Sequence, residues 1–158
     1  MRSVRKTIPI KMRNIKKLVF LFVLVHFSLF SAQANEFYRD DAKEVVIDKE
    51  RKLMWQDDSA ASSTDKSYTD AMAHCEALEF AGHTDWYLPS VDELKSIVKA
   101  GNYPKCIDKV FVNVYPDYYW SSTEHSPEYA WIVLFIYEDS SYYHKTDPSH
   151  VRCVRKIE

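Results

Sequence analysis

One segment of this 158-residue chain restricts the fold more than any other. Every residue from 130 to 136 is apolar, and the run is bounded by Tyr129 and Tyr137. The side chains of a strand alternate between its two faces, so both faces of this segment would be apolar. A strand that is buried on both faces usually lies inside a sheet. The segment therefore predicts a central strand with packed side chains above and below it.

Two helices are predicted before this strand, and each has its own start signal. Ser67–Asp70 and Ser90–Glu93 both have the spacing of a capping box, in which a serine hydroxyl accepts a hydrogen bond from the first helical turn. Gly82 and Gly101, the only two glycines of the chain, follow the apolar stripes of these helices. A glycine is the usual residue just after a helix, so we expect two helices of about three turns that end near these positions.

Strands surround the helices in the sequence. Residues 44–48 and 53–56 predict a hairpin, and residues 57–66 predict a surface loop that is rich in serine, alanine and aspartate. After the apolar run, residues 142–145 predict a returning strand and residues 150–156 a closing one. A strand hairpin, two helices and then several strands is the order of an α+β fold.

The N-terminus predicts export. Seven basic residues and no acidic residue lie within residues 1–17, an apolar run follows at 18–30, and Ala32-Gln33-Ala34 is a cleavage signature. An uncleaved membrane anchor is less consistent, because 13 helical residues span about 20 Å, against about 30 Å of hydrocarbon. We expect a signal peptide at 1–34 and a single mature domain at 35–158, in the periplasm or at the cell surface. No membrane association is expected after cleavage.

The charge of the mature domain argues against nucleic acid as a partner. All 23 acidic residues follow residue 34, whereas 21 minus 7 leaves 14 basic residues there, so the net charge is −9. Such a domain repels phosphate backbones and anionic lipid on average. Arg152, Arg155 and Lys156 form the densest basic group. We interpret them as solvated charges on an edge strand.

Motifs for catalysis, metals and cofactors were not found. The histidines are scattered, with no H-E-x-x-H or C-x-x-C motif, and two glycines do not allow a phosphate-binding glycine loop. The sequence therefore predicts no catalytic residue, no metal ligand and no cofactor. The aromatic side chains are the other candidates, since an exposed tryptophan can stack on a sugar. We expect at least three of the four tryptophans to lie in the core instead: Trp55, Trp86, Trp120 and Trp131.

Three motifs carry a family resemblance: Asp85–Pro89, Tyr119–Thr123 and Val151–Arg155. Together they resemble the C-terminal domain of the Legionella collagen-like protein, a family also known as DUF1566, with a core at 44–156. The resemblance implies a C-type-lectin-like fold, in which a mixed, mostly antiparallel sheet is combined with two helices. The chain departs from the family at Tyr87, where arginine is usual, and after the apolar run, where a glycine is usual.

The cysteines predict one disulfide and one free thiol. An exported chain with three cysteines leaves one unpaired, and the residues alone leave three pairings open. The resemblance implies the Cys75–Cys153 pairing, from the first helix to the last strand. Cys106 is then a bystander thiol, or else the site of an intermolecular disulfide or a redox reaction.

The resemblance also implies a non-enzymatic binding module that recognises a glycan or a surface protein. The alternatives are a divergent enzyme of the formylglycine-generating type and a structural surface subunit. We expect the ligand surface in the loops at 57–66, 117–119, 124–129 and 142–150. The best candidate contacts are Tyr142, Tyr143, His144 and Lys145, because adjacent rings offer faces to a sugar and the lysine offers a charge. Packing of two of these four beneath the hairpin is an equal alternative.

Overall fold

A computed structural model describes residues 37–158, so the predicted signal peptide lies outside the described residues. The described chain combines helices with two mostly antiparallel sheets, which confirms the α+β prediction. No helix within this range is long and apolar enough to cross a membrane. The elements in chain order are β1 (Phe37–Asp40), β2 (Val45–Asp48), β3 (Leu53–Gln56), a 3-10 helix (Ser59–Ser62), β4 (Asp65–Lys66), α1 (Tyr68–Glu76), α2 (Val91–Ser96), β5 (Tyr118–Glu124), β6 (Tyr129–Leu134), β7 (Asp139–His144), β8 (Ser149–His150) and β9 (Val154–Lys156).

The first sheet has the order β1-β2-β3-β9 and is antiparallel throughout. The predicted hairpin is β2 and β3, with Val45 opposite Gln56 and Asp48 opposite Leu53. Strand β1 was not predicted. Strand β9 pairs with β3 and completes the sheet, so the last strand of the chain lies beside an early one.

The second sheet has the order β4-β8-β5-β6-β7, and β5 and β8 are its parallel pair. The strands are mixed and mostly antiparallel, as the resemblance implied, and they are divided between two sheets. The predicted closing strand at 150–156 is two short strands, because residues 151–153 cross from the second sheet to the first. Strand β6 is apolar as predicted, but it lies next to the edge strand β7 and not at the centre of its sheet.

Both helices begin where their caps predict. The Ser67 hydroxyl accepts a hydrogen bond from the Asp70 amide, and Ser90 and Glu93 form a complete capping box. The nine residues of α1 are close to the predicted three turns, whereas α2, with six residues, is shorter than predicted, and both helices end well before Gly82 and Gly101. The chain leaves α1 to pack Leu78 and Phe80 against the core, and Gly82 then lies at φ +83° in a tight turn.

Two groups of buried side chains fill the interior, and β6 contributes to both. Val133 packs with Leu94 of α2 and with Ile97 just after that helix, whereas Ile132 packs with Ala71 of α1 on the opposite face. Three tryptophans are buried, which confirms the expectation for the core: Trp55, Trp86 and Trp120. Trp131 is the exception and is half-buried.

The Cys75–Cys153 disulfide is present and joins α1 to the residue before β9, with 5.5 Å between the two Cα atoms. It is the pairing that the resemblance implied. Cys106 is buried, and its thiol lies 3.4 Å from the carbonyl oxygen of Ile136. Burial, together with the Glu138 carboxylate, raises the pKa of this thiol. These contacts are those of a bystander thiol.

The interpretation of Arg152 as a solvated charge was wrong. Its side chain is fully buried, and its guanidinium donates hydrogen bonds to the carbonyl oxygens of Gln56, at 2.6 Å, and Asn113. The rings of Phe111 and Tyr119 lie within cation–π distance, at 5.2 and 5.8 Å. Burial lowers the pKa of Arg152. The segment around Arg152, which the sequence suggested was a charged edge strand, therefore lies in the interior.

Asp57 is the counter-charge of Arg152. Its side chain is also fully buried, and its Oδ1 accepts a hydrogen bond from Arg152 at 2.9 Å. Arg39 contacts the other carboxylate oxygen, and the backbone amides of Val112 and Asn113 donate at 3.0 and 3.2 Å. A buried carboxylate tolerates its desolvation when it is paired and hydrogen-bonded in this way. The cluster ties β1, the end of β3, the 112–113 segment and the approach to β9 together.

The other two basic residues of this group lie further out. Arg155 donates to the Asp85 carboxylate at 2.7 Å, and this hydrogen bond lowers the pKa of Asp85. Lys156 is exposed, as expected. The three positive charges therefore do not form one basic surface patch.

Candidate ligand-binding face

Five aromatic rings contact one another on one face of strands β6 and β7. We call this group the aromatic strip, and its members are His125, Tyr129, Trp131, Tyr142 and His144. Tyr129 and Tyr142 have 38% and 47% of their surface exposed. His125 is also exposed, whereas Trp131 and His144 are half-buried. Large exposed rings in contact with each other are unusual, because such side chains normally fill the core.

The register of the hairpin builds the strip. Tyr129 lies opposite His144, and Trp131 lies opposite Tyr142. Directly opposed residues of an antiparallel pair share a face, and so do residues two apart on one strand. The turn between β5 and β6 supplies the fifth ring, because the His125 amide donates to the Tyr129 carbonyl at 2.9 Å.

The rings hold one another in fixed orientations. His125 and Tyr142 are stacked, with 4.1 Å between ring centroids and 9° between planes. Trp131 stands nearly perpendicular to both, at 5.4 Å from His125 and 6.0 Å from Tyr142. Tyr129 makes edge contacts with Tyr142 and His144. Such pairs are favoured by the aromatic quadrupole, so the strip is ordered before any ligand arrives.

Helix α2 covers the neighbouring part of the same face. Its Lys95 places Nζ 5.8 Å from the Trp131 ring centroid, a cation–π contact. The same lysine borders a recess of about 390 Å³ between α2 and the turn that joins β6 and β7. We call it the hairpin recess, and its lining is Lys95, Val98, Ala100, Val133, Glu138, Asp139 and Ser140.

The four predicted contact residues do not share one surface. Tyr142 and His144 belong to the aromatic strip, whereas Tyr143 and Lys145 point to the opposite face. Tyr143 packs against Tyr118, with 4.7 Å between ring centroids, beside the core group around α1. Burial, with a contribution from the Tyr118 hydroxyl, raises the pKa of Tyr143 to about 12.

The ammonium group of Lys145 is already paired with other residues of the protein. Its Nζ lies 2.9 Å from the Glu124 carboxylate and 5.1 Å from the centroid of the Tyr68 ring. The predicted loops at 57–66 and 117–119 also contribute buried residues, since Asp57 and Tyr119 are inaccessible to solvent.

The other three members of the strip were predicted only in outline. His125 and Tyr129 lie in the predicted loop at 124–129, and Trp131 was one of four candidate tryptophans, but none was named among the best contacts. The alternation of strand residues was the available signal. Counting in steps of two separates Tyr142 and His144 from Tyr143 and Lys145. The opposed strand was harder to place, because its register depends on a turn whose length the sequence does not give.

The described residues offer no arrangement for metal chemistry. Between residues 37 and 158, no group of three or more histidine, cysteine, aspartate or glutamate side chains converges on a point where an ion could bind. His74 stands apart from the strip, and burial lowers its pKa.

The fold and this face define an α+β domain with two small sheets, one of which displays an aromatic surface. A family model described as the Lcl C-terminal domain matches residues 44–155, which is most of the chain. The chain therefore belongs to the Lcl C-terminal domain family. No curated protein matches the sequence.

Proposed function

We propose that this protein is an exported, non-enzymatic binding module that recognises a glycan with the aromatic strip. The observation that carries this proposal is the set of five contacting rings on an exposed sheet face. A sugar ring has an apolar C–H face and polar edges. Tyrosine, tryptophan and histidine match it, because each combines a flat ring with a hydrogen-bonding group at its edge.

Rigidity of the strip supports binding. Ordering a free side chain on association costs about 0.5–1.5 kcal/mol, and the strip avoids much of this cost because its rings are already packed. The partial exposure of Tyr129 and Tyr142 leaves ring surface that a ligand can cover.

The cysteines argue against the enzyme alternative. Enzymes of the formylglycine-generating type use a pair of cysteines, but here Cys75 and Cys153 are joined in a disulfide and Cys106 is buried alone. The disulfide itself supports export, because such bonds persist in oxidising compartments. The likeness to C-type lectins stays a prediction.

A glycan array with matched variants tests the proposal. We expect the purified protein to bind at least one class of glycan, and Tyr142→Ala to weaken that binding about tenfold, or 1.4 kcal/mol. Tyr38→Ala is the control, because Tyr38 is 54% exposed on the first sheet, away from the strip. Both variants should keep the melting temperature of the parent. Equal binding by Tyr142→Ala and Tyr38→Ala would contradict the proposal, and a stoichiometric protein partner without glycan binding would favour a structural subunit.

Export is tested separately. N-terminal sequencing of the protein from the periplasm or medium should begin at Asn35, after removal of residues 1–34. Recovery of the protein only with these residues attached contradicts a cleaved signal peptide.

A further inference from the structure

The hairpin recess is continuous with the aromatic strip. Val133 lies opposite Ser140, and this pair follows the Trp131–Tyr142 pair two residues further along the same strands, on the same face. Lys95 links the two, because it lines the recess and also contacts Trp131. The Tyr129 end of the strip and the Val133 end of the recess are four residues apart on β6, or about 14 Å. That length exceeds a single pyranose ring.

The lining of the recess has two kinds of surface. Val98 and Ala100 supply an accessible apolar floor, and Val133 borders the recess but is buried, while the hydroxyl and charged groups of the other residues supply a polar rim. A volume of about 390 Å³ lies within the usual range for small-molecule sites. An apolar floor with a polar rim is the surface that a pyranose needs, since its C–H face is apolar and its hydroxyls project outward.

The rim is partly fixed in place. The backbone amide of Gly101 donates to the carboxylate of Glu138, a rim residue, at 2.9 Å. The Asp139 carboxylate accepts from the Ser140 amide at 2.7 Å. The residue before Glu138 is Tyr137, which has 70% of its surface exposed. Acceptors at fixed positions can hold sugar hydroxyls, which are hydrogen-bond donors.

The charge of the recess determines what it accepts. Glu138 and Asp139 carry two negative charges, against the single positive charge of Lys95, and the mature chain as a whole carries −9. Like charges at a binding surface oppose association. A sulfated or carboxylated sugar is therefore repelled from the recess, whereas an uncharged sugar is not.

We propose that the aromatic strip and the hairpin recess form one extended site for an uncharged, β-linked oligosaccharide, with one sugar ring in the recess and its neighbours on the strip. β-Linked, all-equatorial sugars have the flat C–H faces that aromatic rings stack against. This inference rests on the proposed glycan-binding function and adds the ligand class, the number of subsites and the selection against anionic chains.

Isothermal titration with cellohexaose, chitohexaose and their dimers tests the length of the site. The hexasaccharide of at least one series should bind about tenfold more tightly than its dimer. Ala100→Trp fills the recess from an exposed position. It should lower hexasaccharide affinity about tenfold. Ala42→Trp is the matched control, because Ala42 is exposed in the turn between β1 and β2.

Charge selection is tested with sulfated cellohexaose. The parent protein should prefer the unsulfated form about tenfold, and Asp139→Lys should reduce this preference. Equal hexasaccharide binding by Ala100→Trp and Ala42→Trp overturns the recess subsite, and a preference of the parent for the sulfated form overturns the ligand class. Both results leave the proposed function intact if Tyr142→Ala still weakens binding on the array about tenfold. If Tyr142→Ala binds glycans as tightly as the parent protein, the proposed function itself is contradicted.

Discussion

Among the carboxylates that the structure describes, we expect Asp57 to cause the largest loss of stability when its charge is removed. Asp57→Asn retains the size of the side chain but removes the counter-charge of Arg152, which is fully buried. The new amide group also faces the donors of Arg39, Val112 and Asn113, and one oxygen can no longer accept from all of them. Removing one partner of a buried pair costs about 3–5 kcal/mol. A domain of this kind has about 5–15 kcal/mol of stability, so the variant loses a large share of it.

Urea unfolding under non-reducing conditions measures the effect. With a slope of about 2 kcal/mol per molar urea, the midpoint of Asp57→Asn should fall by about 2 M. Asp85→Asn is the matched control, because Asp85 also binds an arginine, Arg155 at 2.7 Å, but has a side chain that is 59% exposed. Exposed pairs contribute little, so the control midpoint should stay close to that of the parent.

A double variant separates charge from packing. If Asp57→Asn is destabilising because it strands a buried charge, then adding Arg152→Met should restore part of the loss. Contacting residues in one network couple by about 0.5–3 kcal/mol, and we expect the upper part of this range. Two results would refute the reasoning: equal midpoint shifts in Asp57→Asn and Asp85→Asn, or losses that simply add in the double variant.

Three further predictions concern other contacts. Replacing Cys75 and Cys153 with alanine should cost about 4 kcal/mol in the chain-entropy model, since the cysteines are 78 residues apart; a urea midpoint equal to that of the parent contradicts this. Tyr143→Ala should lower stability by about 2 kcal/mol while leaving glycan affinity within twofold, the reverse of a variant on the strip; weaker binding without destabilisation would place Tyr143 in the ligand surface. The hydrogen bond with Arg155 lowers the pKa of Asp85 from 3.8, so the stabilisation by this carboxylate is present above pH 3.8 and is lost as the pH falls below it. The small difference in urea midpoint between the parent and Asp85→Asn should therefore vanish in acid, and a difference that persists at pH 2 contradicts this explanation.

Local signals in the sequence were sufficient for the helix starts and for several strands. Ser90 and Glu93 are three residues apart, and their reciprocal hydrogen bonds depend on little else. The helix ends depended on distant packing instead. Leu78 and Phe80 leave the helical path for contacts in the core group around α1, and no spacing within the segment indicates this.

The buried arginine shows why charge alone did not predict position. Arg152 and Asp57 are 95 residues apart, so neither is adjacent to an opposite charge that would suggest the pair. Arg152 lies near Arg155 and Lys156 in the sequence, and such a basic group is expected to be solvated, because charged side chains are rarely buried. For the candidate site, Tyr142 and His144 were predicted from adjacent rings in the segment at 142–145. That Tyr129 and Trp131 lie opposite them was not predicted, because strand register is a property of the folded hairpin.

Residues 149–156 have a consequence for the order of events during synthesis. This short stretch supplies a strand to each sheet, the disulfide partner of α1 and the guanidinium that neutralises Asp57. Ribosomes add about 5–20 residues per second, so Asp57 waits roughly 5–20 s for Arg152. Until then, neither sheet is complete and the acidic side chain remains hydrated. The domain can therefore complete its two sheets, its disulfide and its buried ion pair only after residues 149–156 have been synthesised.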